Sequence, residues 1–324
     1  MKYKVFLLPP GENWICDRFT DEWYKYNSDI STKNPYEADV IWLIADWCFN
    51  QLPYDLLRKK KVITTNFHIV PEKFNNISRV HFEHRDLVTD LYNASCNKTA
   101  EYLRKIGTKK PIKTELFWVN QNIWFDITKE KARKILGLEI NDDENLIGSF
   151  QRDTEGNSIG EGKEPKPKIE KGPELFCDLM EYIRDNSKVK PVVLLGGWRR
   201  QYVIRRLEQA KIKYIYKELP SFETLNLMYN SLDCYFVTSK YEGGPQALLE
   251  CGATKTPVIS TDVGVASHIL PPFSISKERT PKSLYDCSVE TGYVFNKVKK
   301  LFIPDGFKPF RKIIEDLCER KTGL

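Results

Sequence analysis

No stretch of this sequence stays apolar long enough to cross a bilayer. The apolar part of Met1–Pro10 is also too short for a secretory signal and reads as a first β-strand. The eight cysteines form no Cys-x-x-Cys pair, and several sit inside apolar runs such as Asp233-Cys234-Tyr235-Phe236-Val237. That usage excludes a disulfide framework and a zinc-ribbon site, and fits reduced thiols in a cytoplasmic protein. No dense track of Lys and Arg marks a nucleic-acid surface; the formal charge is only +6. So mild an excess suits an anionic small-molecule substrate, or weak peripheral contact with acidic lipids. No Gly-x-Gly-x-x-Gly follows the first strand, which argues against a dinucleotide oxidoreductase. No Walker-type loop is present, and no Asp-x-Asp stands at a strand end to hold a divalent cation.

What the chain does have is alternation. Short apolar, β-rich runs recur between longer amphipathic stretches, the pattern of parallel sheets with crossover helices. In the first half the predicted strands are 3–8, 39–44, 61–66, a weaker one at 79–83, and 112–119, with a helix over 86–106 that stops at Gly107. In the second half strands are predicted at 145–150, 191–195, 213–216, 233–237 and 257–260. Helices are predicted between them at 173–186, 201–210, 222–230 and 245–253. A length of 324 residues suits two domains, placed here at 1–125 and 126–300, with a C-terminal helix in 301–324 that packs back across the junction. Residues 153–170 break the rhythm. They are rich in Gly, Glu, Lys and Pro, and read as an exposed, mobile loop whose length points to function.

The most informative stretch is Thr238-Ser239-Lys240-Tyr241-Glu242-Gly243-Gly244-Pro245-Gln246-Ala247-Leu248-Leu249-Glu250. It begins at the C-terminal end of a predicted strand, the edge at which open α/β sheets bind ligands. Gly243 and Gly244 allow close backbone approach, and Pro245 is expected at the first helical position. The helix tip offers unpaired N–H groups and the positive end of its dipole to a diphosphate. Glu242 precedes the helix and Glu250 is expected about two turns along it, one carboxylate on each side of that anion. The bare spacing of two glutamates is weak evidence; the surrounding order of parts, completed by Thr256-Pro257-Val258-Ile259-Ser260, is specific.

On these residues the chain resembles the retaining GT-B glycosyltransferases of family 4 (glycosyl transferases group 1), with their Glu-x7-Glu motif and following Pro-Val-Ile strand. The resemblance implies an α/β GT-B fold, two Rossmann-like doubly wound domains facing across a cleft. It also implies metal-independent sugar transfer from a UDP- or GDP-sugar to a carbohydrate, glycan or glycosylated acceptor, with retention, no further cofactor and no nucleic-acid partner. Gly148-Ser149-Phe150-Gln151-Arg152 and Lys171-Gly172-Pro173 are similar to the family's diphosphate-binding Arg and Lys. The insertion between them makes Lys168 a rival of Lys171. The resemblance places the donor sugar at Glu242 with Gly243, Gly244, Pro245 and Gln246, and the ribose at Glu250. It places the nucleotide over Gly197, and the base at Leu219 through backbone groups. Gly11 and Asn13 stand where the family has a loop near the donor, and His68 where it carries a histidine near the reacting sugar. Trp14 and Trp47, beside predicted strand ends, are candidates for lining the cleft, while most of the remaining tryptophans are expected in the core. Two other readings stay open on the same residues: a nucleotide-sugar epimerase or hydrolase, and a non-catalytic sugar-nucleotide-binding protein.

Overall fold

The computed structural model describes residues 3–12, 15–156 and 164–319, so Asn13 and Trp14 lie outside the described residues. The chain forms two compact units, Met1–Trp118 with Ile303–Leu324, and Val119–Phe302. The first crossing thus falls at residue 119, where the sequence places it after 125. Phe117 and Trp118 belong to the first core, whereas Trp124 packs edge-on against Phe222 and Tyr229 of the second unit. Val119 donates to the Leu301 carbonyl at 2.8 Å, so the second unit begins and ends on neighbouring backbone.

The first unit holds a parallel sheet of β1 (Val5–Leu8), β2 (Val40–Leu43), β3 (Lys61–Asn66), β4 (Leu91–Ala94) and β5 (Ile112–Thr114), in that spatial order. Its core is aromatic. Trp42 stacks on Phe310 with centroids 5.2 Å apart and meets Trp23 edge-on at 5.4 Å, while Phe19 stacks on Phe117 at 4.3 Å. Each buried indole N–H has a partner, Trp42 on Thr65 at 2.9 Å and Trp118 on Glu22 at 2.7 Å. Phe310, Ile313, Ile314 and Leu317 reach this core from the C-terminal helix Lys308–Glu319.

Two expectations in this half are corrected. The strand predicted at 79–83 lies inside the helix Asn76–Val88, whose start is capped by Asn75 accepting from the Ser78 N–H at 3.0 Å. The helix predicted over 86–106 is split by β4 and resumes as Asn97–Lys105. All four residues of β4, Leu91-Tyr92-Asn93-Ala94, are buried, so the strand has no alternation of inward and outward side chains for a reader to see.

The second unit is a parallel sheet of β6 (Glu144–Ser149), β7 (Lys190–Gly196), β8 (Tyr214–Lys217), β9 (Cys234–Val237), β10 (Val258–Thr261) and β11 (Ile275–Ser276). Their spatial order is β11-β10-β9-β6-β7-β8. From β6 the chain proceeds outward through β7 and β8, then returns to β9 on the other flank of β6 and leaves in the opposite direction. The loops after β6 and β9 therefore diverge between two adjacent strands, the arrangement that opens a ligand site at the carboxyl edge. Among the described residues no helix is long and apolar enough to cross a membrane.

Phe310→Ala removes a fully buried ring from the aromatic cluster of the first unit. It should cost about 3–5 kcal/mol of stability, read as a lowered urea midpoint.

Candidate functional site

The divergence between β6 and β9 collects most of the residues singled out in the second unit. After β6 come Gln151 and Arg152, and at the return of that loop Lys168 and Lys171. After β9 come Ser239 and Glu242. Lys171 Nζ lies 2.5 Å from Glu242 Oε1, a contact between side chains 71 residues apart that joins the two loops. Ser239 Oγ lies 3.2 Å from the same Glu242 oxygen and 3.2 Å from Gln151 Oε1, and Gln151 Nε2 donates to the Lys171 carbonyl at 2.9 Å. The backbone is fastened as well, since Lys240 and Tyr241 both donate to the Glu170 carbonyl. Gly172 is required at this seam: with φ of +60°, a Cβ there would stand 2.1 Å from the Thr238 carbonyl oxygen.

Cations cluster here. Burial lowers the Lys168 pKa from the ordinary lysine value; Glu170 opposes the shift, while Lys171 and Arg152 add to it by repulsion. Lys168 thus stands beside Lys171, and the two candidates are neighbours sharing one field. The Arg152 guanidinium donates to the carbonyls of Thr154 and Gly156 and lies over the Trp198 ring at 5.2 Å. Lys171 therefore meets the loop that leads to Pro245 directly, while Arg152 is engaged by its own loop.

The helix after Glu242 runs Gln246–Thr254, with Pro245 as its N-cap and not its first residue. Glu250 lies four residues beyond Gln246, about one turn in, where two turns were expected. Glu250 is buried and accepts from the Tyr229 hydroxyl at 2.7 Å. Burial holds the Tyr229 pKa well above the ordinary tyrosine value, and the Glu250 charge adds to the shift. Gly243 and Gly244 lie between Glu242 and that N-cap, and Gln246 Nε2 donates back to the Gly244 carbonyl at 3.4 Å. The loop rests on Gly264: at φ of +55°, a Cβ there would meet the Gly243 carbonyl oxygen at 2.5 Å. Gly197, at φ of +85°, approaches the Phe150 carbonyl, and its own carbonyl accepts from Tyr216 at 3.0 Å. Leu219 is exposed and held at φ of +44°, a conformation that costs an L-residue free energy and is concentrated at functional loops.

The 153–170 loop corrects its own expectation. Asp153 and Thr154 are buried, and the base of the loop is a ribbon in which Thr154 bridges Pro167 and Lys168 donates to the Asp153 carbonyl at 2.7 Å. Residues 157–163 lie outside the described residues. The physical reason is Arg200, fully buried, which pairs with Asp153. It also donates to Ser149 at the end of β6 and to the Gly196 carbonyl at the end of β7, the latter at 2.7 Å. Sequence reasoning missed Arg200, Asp153, Gln151, Ser239 and Trp198. The one available signal was Arg199-Arg200, one residue past the Gly196-Gly197 turn. Arg279 was missed too; an exposed residue, it reaches back to donate to the carbonyls of Thr238 and Ser239, and desolvation of the guanidinium lowers its pKa.

In the first unit Gly11 has φ of +73°, and its N–H and that of Glu12 donate to the two carboxylate oxygens of Asp17, each at 2.9 Å. His68 follows β3, half-buried, next to Phe67, whose carbonyl accepts from Thr99 at 2.8 Å. His68 also lies within the field of the partly buried Asp46, which pairs with Arg85 at 3.1 Å and accepts from Asn66 at 3.0 Å. Trp47 is half exposed. Among the described residues, no group of three or more His, Cys, Asp or Glu is placed to hold a metal ion.

Residues 167–283 match the family described as glycosyl transferases group 1, a span that includes Lys168, Lys171, Glu242 and Glu250. The structure is similar to that of HepE from Anabaena, solved in complex with UDP and glucose. The TM-score is 0.72 at 12% identity, covering 98% of this chain and 100% of that one. It is also similar to a glycosyltransferase from Rickettsia africae (TM-score 0.64, 14% identity, 99% and 100% covered). A third similar structure is sucrose-phosphate synthase from Thermosynechococcus elongatus (TM-score 0.66, 15% identity, 94% and 78% covered). At such identities these likenesses speak for the fold, which is GT-B. No curated protein is significantly similar in sequence.

Asp153→Ala should cost about 3–5 kcal/mol, because it leaves the Arg200 guanidinium buried without its counter-charge. Chemical denaturation checks this, and a double variant that also replaces Arg200 with Met should recover part of the loss.

Proposed function

Because residues 167–283 match the family described as glycosyl transferases group 1, we propose that this chain moves a sugar from a nucleotide-diphosphate sugar to a hydroxyl of a carbohydrate or glycan acceptor. The anomeric configuration is retained and no metal is used. The observation that carries the reading is the Lys171–Glu242 contact, 2.5 Å across the divergence of β6 and β9. It brings a phosphate-binding cation and a hydroxyl-binding carboxylate to one point, as a sugar diphosphate requires. UDP is the first donor to try, since HepE is solved with UDP and glucose; GDP is the second.

In this reading the bond between the anomeric carbon and the diphosphate oxygen breaks as the acceptor hydroxyl oxygen attacks from the same face. The hydroxyl proton passes to the departing phosphate. Charge grows on the leaving diphosphate, and Lys171, Arg152 and the N–H groups at the start of the helix Gln246–Thr254 stabilise it. These groups supply what a divalent cation supplies in other transferases. Arg152 reaches the diphosphate by exchanging the carbonyls of Thr154 and Gly156 for phosphate oxygens, to which its planar fork is better matched. Glu242 orients the donor sugar and Glu250 takes the ribose hydroxyls. The backbone near Gly197 and Leu219 receives the nucleotide.

The test is turnover of UDP- and GDP-hexoses with a panel of glycoside acceptors, with and without EDTA. Glycoside should form, EDTA should leave the rate unchanged, and Lys171→Ala should lower kcat about 10²–10³-fold. Donor loss without glycoside, with every acceptor tried, would turn the reading into a hydrolase or epimerase. Absence of turnover and of nucleotide binding would remove the enzyme altogether.

A further inference from the structure

The first sheet carries a divergence of its own. The carbonyls of Lys4 and Val5 point to opposite edges of β1; the first accepts from Val40 of β2, the second from Thr32 at 2.9 Å, and Val5 bridges Ser31 in parallel. From β1 the chain thus goes to Ser31 on one flank, and only afterwards to β2 on the other, from which it continues to β3. The loops after β1 and after β2 consequently part between two adjacent strands, by the same rule that locates the site in the second unit.

Those two loops meet through side chains. Trp47, after β2, donates its indole N–H to Glu12 Oε1, after β1, at 3.1 Å, and Gln51 Nε2 donates to the Pro10 carbonyl at 3.3 Å. The Trp47 ring lies at 6.2 Å from Phe67, which is itself stacked on Phe117 at 5.6 Å, yet half of the Trp47 surface stays exposed. Such a ring is held in place while presenting a face to solvent. Burial pushes the neighbouring Cys48 thiol up to about 12, and the charges of Glu12, Asp46 and Asp17 add to that rise. Asp46 is paired with Arg85 at 3.1 Å, so the negative charge of this edge is that of Glu12 and Asp17, whose carboxylates accept from the indole and loop N–H groups.

We propose that the Glu12–Trp47 pair is a saccharide subsite that accepts an uncharged pyranose, the acceptor of the transfer reaction, and rejects acceptors bearing phosphate or carboxylate. The ring face covers the C–H face of the sugar. The Glu12 carboxylate, which has acceptor capacity beyond the one indole bond, takes hydroxyl protons. Anionic acceptors meet like charge from Glu12 and Asp17. The identification of this sugar as the acceptor rests on the transferase reading; the saccharide subsite does not.

The experiment is ligand-observed NMR with methyl β-glucoside, methyl β-galactoside, the methyl glycoside of N-acetylglucosamine, and glucose 6-phosphate. It is run on the wild type, Trp47→Ala and Trp47→Phe, with UDP affinity measured on the same samples. At least one neutral glycoside should show saturation transfer at its ring C–H protons. Its affinity should fall at least about tenfold in Trp47→Ala and stay within about threefold in Trp47→Phe, with UDP affinity unchanged and no transfer to glucose 6-phosphate. Wild type that binds UDP but none of the neutral glycosides overturns the subsite, as does a Trp47→Ala variant that binds them equally well. Equal binding of glucose 6-phosphate overturns the charge discrimination. Trp47-dependent glycoside binding without binding of either UDP or GDP, measured on the same samples, keeps the subsite and removes the transferase reading instead.

Discussion

The structure of the second unit turns on one ion pair placed where one sheet sends its chain two ways. β6 and β9 are adjacent, but their loops leave toward opposite flanks, so a link between them at the carboxyl edge has to be made across the gap, by Lys240 and Tyr241 donating to the Glu170 carbonyl and by side chains. Lys171 and Glu242 make that link, together with Ser239 and Gln151, and Gly172 lets the backbone of one loop approach the other. A charged pair here serves geometry as much as stability. Partly buried, it fixes which oxygen faces which ammonium, and so sets where an anionic ligand and its sugar can lie.

Beneath that pair sits Arg200, which has no exposed surface and gathers the ends of β6 and β7 and the base of the long loop. A guanidinium is suited to this because its fork of donors can satisfy several oxygens at fixed angles, where an ammonium would satisfy them without direction. The insertion between Arg152 and Lys171 is tolerated for the same reason. Its outer part is polar, but its first residues are pinned to Arg199 and Arg200, so Lys168 and Lys171 return to the site in a defined place.

Each unit, taken by itself, brings opposite chemistry to the carboxyl edge of its sheet. The second gathers Arg152, Lys168 and Lys171, a field for phosphate. The first gathers Glu12 and Asp17 around an exposed indole and leaves its own loop amides on Gly11 and Glu12 satisfied by Asp17. An amide already paired with an internal carboxylate is a poor phosphate ligand, which is why the two edges are read differently even though both follow strands of parallel sheets.

The sequence alone determined the class of fold, the helices Pro173–Asn186 and Phe222–Asn230 to the residue, and the Glu242–Glu250 stretch as the place to look, because these depend on local period, capping residues and a motif contiguous in the chain. It misread β4, since a strand buried on both faces has no alternation, and it set the first boundary late because Phe117-Trp118 and Trp124 differ only in which core receives them. The pairing of Lys171 with Glu242, the burial of Arg200 on Asp153, and the meeting of Glu12 with Trp47 were decided only by tertiary structure. Each joins residues about 35 or more positions apart whose side chains are ordinary surface types in isolation, and only the crossover of strands determines that they face each other.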